Sequence, residues 1–203
     1  MRLFEHKSFP NPRRVRVFAA EKGLQIECVH IDLLSGEHLR AEHLKRNPYG
    51  AVPTLELDDG TCISECAAIC RYIESRYPHP LLMGATPRQR AIIEMWDRRV
   101  ENGVLGAVVS YFHHGLPGVS GDNRYRNKEW GQHNLVRITE EMRRLDRQLS
   151  EHQYIAGAKF SIADITAVCA VDFALAVDVE VPIDCIHLQR WYRTVTSRPS
   201  TSV

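Results

Sequence analysis

No stretch of the 203 residues approaches the ~20 consecutive apolar residues that a membrane-crossing helix requires. Net charge is nearly absent as well. Lys and Arg number 26 against 25 Asp and Glu, which leaves +1, so no overall field gathers nucleic acid or anionic lipid. The basic cluster Arg13-Arg14-x-Arg16 has no interleaved aromatics and stands at a helix start, unlike a nucleic-acid surface. Six cysteines are present but no Cys-x-x-Cys pair, which argues against dithiol redox chemistry. Ten histidines show no H-E-x-x-H or similar metal spacing, so no metal is expected. The opening MRLFEHKSFPNPRR lacks the apolar centre of a secretory signal, so a cytoplasmic location and reduced cysteines are expected. Cys66 and Cys70 share a helix face with Ile69 and Ile73 and read as small buried hydrophobes. There is no internal repeat and no low-complexity tract.

What is present is an ordinary globular balance, 44% hydrophobic and 25% charged, in a chain long enough for one large or two small domains. The first half alternates strand and helix. Leu3-Phe4 begins a strand, and Pro12 to Lys22 reads as a helix with Val15, Phe18 and Ala19 on one face and Gly23 at its end. Ile26 to Asp32 is the next strand and His38 to Lys45 a short helical stretch. Thr54, Leu55 and Leu57 form a strand, Asp58-Asp59-Gly60 a hairpin turn and Cys62-Ile63 the return strand. A long helix follows from Glu65 to Tyr77. This β-α-β-α-β-β-α order matches a thioredoxin-like fold, with the first two strands parallel and joined by a right-handed crossover.

Pro78-His79-Pro80 breaks the pattern, and Leu81 to Pro87 reads as a linker. After it only helices are expected: Arg88 to about Tyr111, Trp130 to Leu149, an apolar helix from Ser161 to about Ala176, and Ile186 to Ser197. Gly115-Leu116-Pro117-Gly118 and Gly121-Asp122 form a loop between the first two. Ser161-x-x-Asp164 has the form of a helix start. The expected organisation is therefore α+β with two domains, a thioredoxin-like domain over 1–79 and an all-helical domain over 86–203.

The dipeptide Val52-Pro53 carries the most information. A proline just before a strand gives the sheet no donor and needs explaining. A trans proline at an edge is one explanation. A cis Val52-Pro53 bond is another, and it would turn the backbone N–H and C=O of Val52 out of the sheet, free to pair with an extended peptide.

The run NP-x-G-x-VP-x-L from Asn47, the Asp-Gly hairpin and I-S-E-x-A-A-I-x-x-Y-I together resemble the amino-terminal domain of the cytosolic glutathione transferases. FSIADITAVCAVDF resembles the capped core helix of their second domain, where the serine and aspartate serve folding, so Ser161 and Asp164 receive no catalytic role. The resemblance implies a homodimer whose co-substrate is glutathione, an extended tripeptide with a γ-linked glutamate, a thiol and a terminal glycine. No nucleic acid or membrane partner is expected.

The resemblance assigns residues as follows. Val52 and Pro53 would present the backbone that pairs with the cysteinyl unit. The helix start at Cys66 would receive the γ-glutamyl carboxylate on its N–H groups. Cys66 stands where the family has serine, and a thiol is a poor donor. Glu65 would accept from the ligand's ammonium, or else simply complements the helix dipole. His38 resembles a theta-like histidine that meets the glycine carboxylate, or is a surface histidine. The position of the family's catalytic Ser or Cys falls on Phe9, which donates nothing. Asn11 matches the asparagine of nu-like members and can donate to a thiolate; a plain N-cap or turn role is the alternative. Ser8, one residue out of register, is the second candidate. Trp96, Arg99, Tyr111, Phe112 and His113, with Phe9, are candidates for the electrophile side, although such aromatics also serve as plain core. The S-S-C-x-x-x-V-R pattern of zeta-like members is absent, which argues against maleylacetoacetate isomerase. The expected reaction is conjugation of the glutathione thiolate to a small apolar electrophile. Glutathione-dependent disulfide or peroxide reduction, and a non-catalytic binding or regulatory role, are the alternatives.

Overall fold

The computed structural model describes residues 1–117 and 125–203. The expected loop positions Gly118, Gly121 and Asp122 lie outside the described residues. The chain divides into two compact units, Met1–Leu81 together with Val203, and Leu82–Ser202.

The first unit is built on a four-stranded sheet of order β2-β1-β3-β4. Strand β1 (Arg2–Glu5) pairs parallel with β2 (Glu27–His30) and antiparallel with β3 (Thr54–Glu56), and β3 pairs antiparallel with β4 (Cys62–Ser64). Leu3 and Phe4 of the central strand are both buried, as a strand covered on two faces must be. Registered opposite each other, Arg2 and Glu56 close a 2.5 Å ion pair. Helix α1 (Pro10–Glu21) buries Val15, Val17, Phe18 and Ala19, and it packs against α3 (Cys66–Arg76), which buries Ile69, Cys70 and Ile73. Lys22 is buried at the end of α1, where its ammonium donates to the carbonyls of Pro78 and Pro80 and pairs with Glu74.

Several sequence expectations need correction here. Helix α1 starts at Pro10 rather than Pro12, because proline suits the first helical position and its missing N–H costs nothing there. Asn11 is therefore inside the first turn and is not an N-cap. The stretch from His38 to Lys45 is two pieces, a 3-10 turn (Glu37–Leu39) and α2 (Ala41–Arg46), divided by an extended Arg40. Leu57 lies past β3 and opens the hairpin, donating to and accepting from the turn through Thr61 and Gly60. Glu65 caps α3 rather than belonging to it.

The second unit is helical. Its centre is α7 (Ile162–Ala176), buried continuously from Ile162 to Val171. Around it stand α4 (Pro87–Val100), α5 (Gly106–His114) and α8 (Ile186–Thr196), with α6 (Lys128–Glu151) packed on α5 and α8. The expected single helix from Arg88 to Tyr111 is interrupted by a π-helical segment, Glu101–Leu105. Gly103 lies in that segment, against α6. A Cβ there would meet the carboxylate end of the Glu141 side chain of α6, Oε2, at 2.8 Å, so a larger residue would require that side chain to shift. On α6, Ile138, Met142, Leu145 and Leu149 are buried as the periodicity requires, whereas Leu135 gives way to Asn134, which donates to the Trp130 carbonyl at 2.8 Å.

Two polar locks hold this unit. Asp97 on α4 is fully buried and accepts from Thr166 Oγ1 of α7 at 2.5 Å and from Arg98. Asp164 is also fully buried, and its two oxygens accept from the N–H groups of Ile155 and Ser161, the Ser161 hydroxyl and Trp191 Nε1. Burial raises its carboxyl to about 6 although all four donors pull the other way. The Ser161-x-x-Asp164 signal thus marks a buried hub as well as a helix start. No described helix is long and apolar enough to cross a membrane.

Candidate functional site

The site candidates of the first unit gather around two short turns and two helix starts. The first turn runs from Asn47 into β3. The Asn47 carbonyl accepts from the Gly50 N–H at 2.9 Å, and its side chain accepts from the Tyr49 N–H at 3.1 Å. Gly50 has φ +58, and a Cβ there would meet Leu39 Cδ2 at 2.9 Å and the His38 carbonyl at 3.2 Å. The 3-10 turn carrying His38 is thereby packed tightly on the turn leading to Val52. His38 is buried, which sets aside the surface-histidine alternative.

The peptide just before Val52 is held from three directions. The Ala51 carbonyl accepts from Asn47 Nδ2 at 2.9 Å, from Thr54 Oγ1 at 3.4 Å and from buried His43 Nε2 at 3.1 Å, with the Nε2–H tautomer. Sequence reasoning missed His43. Its only signal was a helix face shared with Asn47, i and i+4. The Val52-Pro53 bond is cis. Pro53 is buried, Val52 is half-buried, and the ladder begins only at Thr54. A second cis bond, His79-Pro80, was not expected.

The start of α3 is unusual. Glu65 is exposed and has φ 70, ψ 120, a left-handed conformation that a side chain adopts at a cost of about 1–3 kcal/mol. No side chain caps the first turn, so its leading N–H groups have no side-chain acceptor and the positive dipole end follows directly on Glu65. Cys66 is buried, and its thiol donates to the Asn11 carbonyl at 3.2 Å. This contact joins the start of α3 to that of α1.

At α1 the chain removes its own donors. A helix start leaves the N–H groups of its first residues without intrahelical partners. Here Pro10 and Pro12 have none, Phe9 N–H is used on the His6 carbonyl at 3.2 Å, and Arg13 N–H returns to Phe9. Asn11 alone offers an N–H from this turn, and it is half-buried. Its Oδ1 accepts from Arg14 Nη1 at 3.3 Å. Ser8 lies exposed in the turn between His6 and Phe9, and the ring of Phe9 stands against that of His6, centroids 4.9 Å apart. Arg14 is 2% exposed, and Arg16 pairs with buried Glu5 and donates to the Lys7 carbonyl at 3.0 Å. Two of the three arginines of the basic cluster thus point inward and brace this turn.

Trp96 and Arg99 belong to the helical unit, where the Arg99 guanidinium lies 4.7 Å from the Trp96 ring. They line a cavity of about 380 Å³ with Asn102, Arg137, Glu141 and Arg144. Tyr111, Phe112 and His113 are half-buried on α5 and do not line it; the Phe112 ring lies 5.2 Å from those of His113 and Phe173. All six cysteines are free, and burial raises the thiols of Cys28 and Cys62, which keeps them protonated. Among the described residues, no group of three or more His, Cys, Asp or Glu is placed to hold a metal ion.

A mixed four-stranded sheet with its helices, followed by a helical unit, and a cis-proline beside an uncapped helix start, define a protein of thioredoxin-like plus all-helical architecture. The model of the glutathione S-transferase N-terminal domain matches residues 1–75 and that of the C-terminal domain residues 105–199. Glutathione S-transferase 2 of Saccharomyces cerevisiae is 41% identical over 98% of this chain and 87% of its own length. The crystal structure of Gtt2 from Saccharomyces cerevisiae superposes with TM-score 0.95 at 40% identity, covering 100% of this chain and 99% of that one. A glutathione S-transferase domain-containing protein of Marinobacter aquaeolei VT8 superposes with TM-score 0.96 at 39% identity, covering 99% and 100%. The chain belongs to the glutathione S-transferase family, and it is an enzyme of that family.

Proposed function

We propose that the protein conjugates the thiolate of glutathione to small apolar electrophiles, as a homodimer in the cytoplasm. Val52 pairs with the cysteinyl backbone of the tripeptide, as an added strand would. The start of α3 receives the γ-glutamyl carboxylate, Glu65 its ammonium and His38 the glycine carboxylate. Asn11 donates to the sulfur. The observation that carries this reading is the 3.2 Å contact of Cys66 Sγ with the Asn11 carbonyl, which joins the carboxylate end of the site to its thiolate end.

The chemistry follows from the thiol. A free thiol ionises near 8.5, and lowering that by ~2 units requires ~2.7 kcal/mol of preference for the thiolate. The Asn11 side-chain amide, its backbone N–H and the positive end of α1 supply donors and field of that order. The thiolate sulfur then attacks the electrophilic carbon. A C–S bond forms, the leaving group departs with its electron pair, and the thiol proton goes to solvent. Phe9, Trp96, Arg99, Tyr111, Phe112 and His113 remain the electrophile-side candidates.

Retention on immobilised glutathione, followed by assays with a chlorinated nitroaromatic and with a small disulfide, tests the reading. Retention with release of chloride from the nitroaromatic is expected. Turnover of the disulfide alone would replace conjugation by reduction. Retention without turnover of either would make the protein a binding module, and no retention would overturn the glutathione site.

A further inference from the structure

We propose that Arg14 is a positioning residue for this thiol chemistry, holding the carboxamide oxygen of Asn11 so that its N–H groups face the glutathione sulfur. The inference rests on the glutathione reading above and adds a residue to it. A carboxamide has two ends of nearly equal size and opposite character: the oxygen repels a thiolate and the nitrogen donates to it. Nothing in the shape of asparagine selects between them, so a partner must. Arginine carries donors and no acceptor, so it engages the oxygen and not the nitrogen. Arg14 stands three residues after Asn11 on α1, one turn along the same face, and its Nη1 reaches Oδ1 at 3.3 Å. With the residue 2% exposed, the guanidinium is held by the surrounding structure and its planar fork loses little freedom in making the bond.

The backbone of Asn11 is already restricted. Pro10 and Pro12 fix the backbone angles on either side of it. Its carbonyl is held by the Cys66 thiol at 3.2 Å. Of the side-chain rotations, the one that exchanges oxygen and nitrogen is set by Arg14 Nη1 on Oδ1. Arg14 need not touch the substrate for this.

The test follows thiolate absorbance of bound glutathione across pH for the wild type, Asn11→Ala, Arg14→Met, Arg14→Lys and the double variant Asn11→Ala/Arg14→Met. Asn11→Ala should raise the titration by about one pH unit, a tenfold loss of thiolate below it. Arg14→Met should move it nearly as far, with kcat falling and KM for glutathione little changed. The double variant should move no further than Asn11→Ala alone. Lysine, also donor-only, should restore part of the shift. If Asn11→Ala moves the titration and Arg14→Met does not, the proposal for Arg14 fails while the glutathione reading stands. If neither moves it, both Asn11 and Arg14 lose their roles, and retention on immobilised glutathione still decides the binding reading separately. Should Arg14→Met fail to fold, the wild type decides: the Asn11 Nδ2H2 signals should shift when glutathione is added, and unmoved signals would overturn the proposal.

Discussion

Two clusters of polar side chains, one in each unit, are built on opposite principles. Asp164 in the helical unit is fully buried and surrounded by four donors from Ile155, Ser161 and Trp191. Its hydrogen bonding is used up within the fold. Glu65 in the first unit is exposed, strained at φ 70, and holds the N-cap position of α3 without its side chain bonding to the first turn. No side chain accepts from the first turn beside it. Both are acids at a helix start. One serves stability, and in the proposed reading the other is kept for a ligand at some cost in stability.

The largest expected effect breaks the stability side. Asp164→Ala leaves buried N–H groups of Ile155, Ser161 and Trp191 without their acceptor, each costing about 1–3 kcal/mol. A loss of roughly 3–5 kcal/mol is expected in urea unfolding, a large share of the stability of a typical domain.

The next sharpens it through pH. Burial raises the Asp164 carboxyl to about 6, above its unfolded value near 3.9. The folded state therefore binds the proton more tightly. The stabilisation this linkage gives is fully present below about pH 4 and is lost as pH rises through about 6. Its full size is roughly 3 kcal/mol. The stability of the wild type over Asp164→Asn should widen by up to that amount as pH falls from 7 to 4, read from denaturant midpoints at each pH. A constant margin would mean that the carboxyl titrates normally.

On the ligand side, Glu65→Gly should separate the two purposes. Glycine adopts φ 70 freely, so relief of strain offsets the added freedom of the unfolded chain and the net change stays within about 1 kcal/mol. Calorimetry should nevertheless show glutathione affinity falling tenfold or more, because a charge-assisted hydrogen bond is worth about 1.5–3 kcal/mol. A large loss of stability with unchanged affinity would reverse the roles of the two acids.

Legibility in the sequence follows the same division. The order of strands and helices, Val52-Pro53 and the Asp164 turn were all readable, because each rests on local chemistry: a proline before a strand, an acid three residues after a serine, apolar residues at a helical or alternating spacing. What escaped rests on contacts between distant segments. His43 looks like any helix histidine until the chain brings Ala51 to its ring. Arg14 sits in a run of arginines that reads as surface charge, and its burial appears only once α1 packs. The π segment leaves no mark in the apolar pattern, which runs through it undisturbed. The site roles of Asn11, Glu65 and His38 came from the family resemblance, since the residues alone allow cap, dipole or surface explanations.

The smallest expected effect concerns Cys66. Its thiol is turned inward to the Asn11 carbonyl at 3.2 Å, and a serine oxygen on its shorter bond would stop short of that carbonyl. Cys66→Ser should free a better donor for the γ-glutamyl carboxylate and tighten glutathione by at most ~1–2 kcal/mol. Calorimetry showing weaker binding would argue that the inward contact matters more than the ligand bond.

The most direct test of the central claim is an amide NMR titration of the intact protein with glutathione. The backbone signals of Asn11, Val52, Cys66, Ala67 and Ala68 should move together at one affinity, while Ile155, Ser161 and Trp191 Nε1 around Asp164 stay in place. Movement around Asp164 with a silent Val52 and α3 start would contradict the account.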